Sequence, residues 1–178
     1  SPVVSANQPW DDLPGTVGRP MPGVRVDILD EEGRTCPIGV NGEIVVHGHN
    51  VMKGYYRMPE ETAEVMTPAG GLRTGDMGRL DEQGRLTISG RIKEMIIVGG
   101  ENVFPAEVEN VLDAHPKVSQ SAVIGLTDGM RGEAVTAFAI PADPDDPPTE
   151  VELRSYCRGK LAGYKVPRRV EIVGELPM

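Results

Sequence analysis

The chain is poor in several residue types whose scarcity narrows its chemistry. It has two cysteines, Cys36 and Cys157, too far apart for a CxxC pair and too few for a disulfide framework. Reduced thiols and a cytoplasmic location are therefore expected. Its three histidines, His47, His49 and His115, are not gathered with other ligands, which argues against a structural zinc site. Basic residues number 18 against 27 acidic ones, and the net charge of −9 excludes nucleic acid as the main partner. The longest apolar runs, Met95 to Val98 and Ala134 to Ile140, fall far below the ~20 residues that a spanning helix needs. Membrane contact is at most peripheral. Ser1-Pro2-Val3-Val4-Ser5 shows neither the basic start nor the apolar core of a signal peptide. Neither a GxxxxGK[ST] phosphate loop nor a Ser/His/Asp arrangement can be assembled.

What is present changes character near residue 90. At 178 residues the chain is long for one domain and sufficient for two small ones. Residues 1–90 read as β. Val24 to Leu29 alternates apolar and polar with period two, and Gly42 to Gly48 supplies another strand. Asp30-Glu31-Glu32-Gly33 and Asp81-Glu82-Gln83-Gly84 are turns of one type, the second joining Met77–Leu80 to Arg85–Ser89 as a hairpin. Pro59 to Met66 is a single helical interruption, with proline at a tolerated first-turn position. Short strands between Gly-rich turns suggest a small β-barrel or β-sandwich subdomain. Residues 91–178 read as an α+β domain in the order β-α-β-β-α-β. Met95–Val98 is a strand, and Pro105 starts a helix with Val108, Val111 and Leu112 on one face. Val118–Leu126 and Ala134–Ile140 are strands. Thr149 and Glu152 form a capping-box pattern for a second helix that buries Leu153, Tyr156, Cys157 and Leu161. Arg169–Val173 returns as a strand.

Chemistry concentrates at this boundary. Asp76 follows Thr74-Gly75 at the end of an expected strand, and an ionised carboxylate there can accept both hydroxyls of a ribose. On the tetrapeptide alone an ordinary turn aspartate is the plainer account. Arg91 and Lys93 flank Ile92, so on an extended segment they share a face; a solvated strand edge is the alternative. Gly99-Gly100 reads either as a tight turn or as bare backbone past which a thiol-bearing chain can run before a helix opens. Other features carry less. Tyr55-Tyr56 reads as a packing pair, Met52, Met58 and Met66 as core filling, and His47 and His49 as surface or core residues. Lys165 and Arg168-Arg169 can meet a phosphate-rich ligand, with loop solvation as the simpler account.

Taken in order, these segments resemble the adenylate-forming (AMP-binding) superfamily, and within it the long- and medium-chain fatty acid–CoA ligases. The resemblance runs through Pro14 to Pro20, Gly42-Glu43-Ile44, Gly54-Tyr55-Tyr56, Arg73-Thr74-Gly75-Asp76 and Gly90-Arg91-Ile92-Lys93. It continues through Gly99-Gly100-Glu101-Asn102-Val103-Phe104-Pro105, Gly132-Glu133 and Tyr164-Lys165-Val166-Pro167. It implies that Asp76 and Arg91 bind nucleotide, that Lys93 is the hinge of a mobile C-terminal domain, and that Gly99 and Gly100 line the CoA tunnel. It implies an acid–thiol ligase, with ATP and Mg as cofactor, held mainly by an N-terminal domain outside this chain, and CoA as substrate. An acyl group passed to a carrier protein instead of CoA is the neighbouring possibility, and a non-catalytic nucleotide- or protein-binding module the more distant one. The resemblance further implies a C-terminal fragment, ending at Glu175-Leu176-Pro177-Met178 before the family's catalytic lysine and inactive alone. Self-association through surface exposed on residues 1–90 is also expected.

Overall fold

The computed structural model describes residues 3–129 and 132–176. The chain divides into two compact units, Ser1–Ile92 and Lys93–Met178.

In the first unit, β1 (Ser5–Ala6) and β2 (Arg19–Pro20) form a two-residue antiparallel ribbon. Four longer strands follow: β3 (Val24–Leu29), β4 (Gly42–Gly48), β5 (Leu72–Leu80) and β6 (Leu86–Arg91). They pair antiparallel in the order β3-β4-β5-β6. The alternation in β3 buries Val26 and Ile28, whereas β4, flanked on both sides, buries Ile44, Val45 and Val46 in succession. Helix α1 (Pro59–Val65) connects β4 to β5, starts on its proline and has no buried residue. This is the expected β-rich subdomain, but not as a closed barrel: β3 and β6 do not pair with one another among the described residues, so the meander stays open with these two as its outer strands.

Two turns with the same Asp-x-x-Gly-Arg sequence fix this sheet. Asp30 accepts the Arg34 amide at 2.8 Å, and Asp81 accepts the Gln83 and Arg85 amides at 2.9 and 2.8 Å. Gly33 and Gly84 take the left-handed conformation, at φ +77° and +75°. Arg85 also binds Asp11 at 2.5 Å, and Arg19 meets the same carboxylate at 2.6 Å. The Arg85 hydrogen bond holds the Asp11 carboxyl below its ordinary value, and turn amides, led by those of Arg34 and Arg85, lower Asp30 and Asp81. Each group binds its proton less readily folded than unfolded. The stabilisation is therefore complete above the ordinary value of 3.8 and fades as pH falls below it. The urea midpoint of this unit should fall between about pH 5 and about pH 3, and fall less in Asp81→Asn. Equal acid sensitivity in the two proteins would contradict the assignment.

The second unit opens with a 3₁₀ turn, Ile92–Glu94, whose first residue closes the preceding unit. Then come β7 (Ile96–Val98), β8 (Glu101–Val103), α2 (Pro105–Asp113), β9 (Val118–Asp128), β10 (Gly132–Pro141), α3 (Glu150–Arg158), a 3₁₀ turn at Gly163–Lys165 and β11 (Arg169–Ile172). One sheet has the order β11-β10-β7-β8, with β9 along the other side of β10. β10 and β11 run parallel and the remaining pairs antiparallel. This is the expected α+β arrangement with one strand more. Gly99 and Gly100, at φ +61° and +90°, make a two-residue hairpin turn that folds Glu101–Val103 back as β8. The double glycine therefore does not open the helix; Pro105 does.

Val108 and Leu112 on α2, Leu153 and Cys157 on α3, and Val123, Val135, Ala137, Ala139 and Val170 on the sheet form the core. Burial pushes the Cys157 thiol up. Both halves of the capping box are present: Thr149 Oγ1 accepts the Glu152 amide at 3.2 Å, and Glu152 Oε2 accepts the Thr149 amide at 3.4 Å. Tyr156 is half-buried, its hydroxyl donating to the Ala114 carbonyl at 3.0 Å and its ring meeting His115 edge-on. On β9, the Val123 amide is taken by Glu109 Oε1 at 2.8 Å, and burial pushes the Glu109 carboxyl up.

Candidate functional site

Asp76 owes its position to a bulge. Arg73 stands opposite Val45 and Met77 opposite Glu43, so Thr74, Gly75 and Asp76 together face the single residue Ile44. Gly75 absorbs the surplus at φ +74°, with nothing within 4 Å of where a Cβ would stand. Thr74 stitches the bulge closed, its hydroxyl donating to the Ile44 carbonyl and accepting the Asp76 amide, both at 3.0 Å. Asp76 thus lies within β5 rather than at its end. It pairs in register with Arg91, whose Nε is 3.6 Å from Oδ1. At the base of the bulge, Arg73 forms a close ion pair with Glu43. An exposed cation and a half-exposed carboxylate therefore sit side by side, the arrangement expected for recognising a group with hydroxyls and negative charge.

Arg91 and Lys93 do not share an extended face. The ladder to β5 ends at Arg91, and without a strand to pair with, Ile92–Glu94 closes into a 3₁₀ turn. Lys93 lies at a cleft of about 430 Å³ with Glu94, Pro105, Glu109 and Glu133. Gly99 and Gly100 form the exposed tip of the β7–β8 hairpin, and no heavy atom comes within 4 Å of a Cβ built on either. They make the tight turn, one of the two readings of this dipeptide, with open space beside it.

A larger cleft of about 570 Å³ in the second unit is lined by Val98, Asp128, Arg154, Arg158, Tyr164 and Arg168, among others. Arg154 donates to the Pro167 carbonyl at 3.1 Å, and Arg168 pairs closely with Asp128. Arg158 makes no ion pair or hydrogen bond among the described residues. The sequence reading missed it, although its spacing of four from Arg154 on one helix places both on the same face. Lys165 is not a solvated loop lysine: both oxygens of Glu107 hold it, at 2.6 and 2.8 Å. Nor are Tyr55 and Tyr56 a packing pair, being 47% and 82% exposed, and Met58 is 45% exposed rather than core filling. His47 Nε2 lies 3.1 Å from Asp27. Among the described residues, no group of three or more His, Cys, Asp and Glu side chains is placed to hold a metal ion.

Comparison with known proteins gives this geometry its setting. The AMP-binding enzyme profile matches residues 1–56, and the AMP-binding enzyme C-terminal domain profile matches residues 107–178. The chain belongs to the AMP-binding enzyme family. A long-chain-fatty-acid–CoA ligase of Escherichia coli O6:H1 is 42% identical across 99% of the chain, which covers 31% of that protein. A fatty acid–[acyl-carrier-protein] ligase, ScoC of Streptomyces coeruleorubidus, is 40% identical across 97% of it, covering 33% of the relative. Among solved structures, ATP-bound MatB from Rhodopseudomonas palustris superposes with a TM-score of 0.88 at 42% identity, over 96% of this chain and 34% of that one. The chain therefore spans about a third of the length of the relatives it matches. Asp76, Arg91, Lys93, Gly99 and Gly100 all lie between its two matched segments. No helix among its described residues is long and apolar enough to cross a membrane.

Proposed function

We propose that the chain forms part of an ATP-dependent fatty-acyl-CoA synthetase. The observation that carries this is the pairing of Asp76 with Arg91 beside a stitched bulge. In this reading Asp76 accepts the two ribose hydroxyls of ATP and then of the acyl-adenylate, while Arg91 steadies the ribose or the α-phosphate. The substrate carboxylate attacks the α-phosphorus and pyrophosphate leaves. The CoA sulfur then attacks the acyl carbon, AMP leaves, and the thiol proton is released. Lys93, beginning the second unit, is the pivot between these half-reactions, and Gly99 and Gly100 line the path of the pantetheine arm. Arg158, with Tyr164 in the same cleft, offers a cation to the phosphates of CoA. Trp10, Tyr56, Val3 and Ile38, the most exposed large apolar side chains of the first unit, support its association with further protein surface.

The reading is tested in the full-length protein, which should catalyse acid-dependent ATP–pyrophosphate exchange. Asp76→Ala removes charge-assisted hydrogen bonds worth about 1.5–3 kcal/mol, so kcat/KM for ATP should fall roughly ten- to hundred-fold. Absence of exchange in the wild type, or an unchanged ATP dependence in the variant, would sink it. The carrier-protein ligase among the relatives favours a second acceptor. Competition between CoA and acyl carrier protein for the acyl-adenylate separates the two readings.

A further inference from the structure

Building on that reading, we propose that Glu133 is a positioning residue for the thioester-forming step, holding the Gly99–Gly100 hairpin through the backbone of β7. The two-residue turn makes Val98 and Glu101 the hydrogen-bonded pair that closes the β7–β8 hairpin, so the Ile97 amide points away from β8. On that side β7 meets β10 through one register pair, Gly132 with Val98. One position further along, a side chain does what a strand carbonyl would do: Glu133 Oε2 accepts the Ile97 amide at 2.8 Å. A carboxylate acceptor makes this bond stronger than an ordinary ladder bond.

The carboxylate is itself seated. A Cβ on Gly125 of β9 would stand 2.7 Å from Glu133 Oε1 and 3.0 Å from Ile96 Cγ2, so glycine at this position leaves the slot in which the carboxylate lies. Glu133 thus links β10 to β7 while resting against β9. The space beside both glycines at the hairpin tip is open, and β8 is the outermost strand of its sheet. The position of the tip is set through β7, which is anchored in the core by Ile96 and tied to β10 by one register pair and by Glu133.

The experiment uses the full-length protein and combines amide hydrogen exchange with the two half-reactions. In Glu133→Ala, the Ile97 amide should lose protection at least ten-fold. CoA-dependent kcat/KM should fall about ten-fold while ATP–pyrophosphate exchange falls less than about two-fold. Glu133→Gln keeps a carbonyl acceptor and should recover most of both losses. Gly125→Ala leaves Glu133 in place but crowds its carboxylate, and should reproduce the alanine phenotype. Unchanged Ile97 protection in Glu133→Ala, a parallel fall of both half-reactions, or no rescue by glutamine would overturn the proposal. A wild type inactive in both half-reactions would instead remove the synthetase reading, while the Ile97 measurement would still report on the hold exerted by Glu133.

Discussion

Leu153→Ala should destabilise the second unit by about 2–5 kcal/mol, the range for deleting a buried leucine side chain. Leu153 is completely buried, with 0% of its surface exposed, and α3 carries it into the same cluster as Val108 and Leu112 of α2. To the same cluster β10 contributes the small residues Ala137 and Ala139. Alanine side chains on a strand paired along both edges have nothing to extend into a void and little freedom to move toward it. Most of the cavity should therefore persist, which places the cost in the upper part of the range. Urea unfolding followed by circular dichroism reads it directly. A loss below about 1 kcal/mol would mean that the cluster collapses around the deletion and that Leu153 is not central to it.

Gly18→Ala should be comparably damaging for a different reason. A Cβ at this position would stand 2.0 Å from the Ala6 carbonyl oxygen and 2.3 Å from the Asn7 nitrogen, both backbone atoms. The residue also holds φ +79°, which costs a non-glycine residue about 1–3 kcal/mol. Relief of the overlap requires β1 or the Gly18 segment to move. That segment is bonded to β6, with the Val17 amide donating to the Leu86 carbonyl at 2.8 Å and the Leu86 amide to the Gly18 carbonyl at 2.9 Å. The strain thus reaches Leu86 in the core, adding about 1–3 kcal/mol as overpacking does. Gly33→Ala is the control. It has almost the same φ, +77°, and open space around it, so it should show the conformational part alone. Equal midpoints for the two variants would show that the close approach of Ala6 carries no cost.

Much of this fold is legible in the sequence because its rules are local. The period-two pattern of Val24 to Leu29 needs only one buried face to become β3, and the run at Ile44-Val45-Val46 marks a strand with neighbours on both sides. Thr149 and Glu152 announce α3 because both halves of the capping box lie within one turn. The repeated Asp-x-x-Gly turns are just as local. What was hidden depends on partners distant in sequence. Asp76 could be picked out as a candidate, yet its bulge exists only as a mismatch of register against Ile44, 32 positions earlier. β8 was missed because Glu101-Asn102-Val103 has no strand pattern of its own; the left-handed conformation of two glycines makes it a strand. The open meander differs from a closed barrel only in whether its outer strands pair, which no stretch of the chain encodes locally. Arg158 escaped notice because an arginine in a last helical turn is ordinary until the surrounding cleft is known.

The bond from Glu109 to the Val123 amide has a consequence for behaviour in concentrated solution. Within its sheet β9 is paired along one side only, by β10. Its other side is of the kind from which strands of separate molecules build stacks, and Ile124 and Leu126 would supply the apolar contacts for one. The Glu109 carboxylate already occupies an amide that an incoming strand would need, and it meets that strand with charge. One glutamate on the neighbouring helix should thereby hinder strand addition at this edge, at the cost of keeping a half-buried acid beside the sheet.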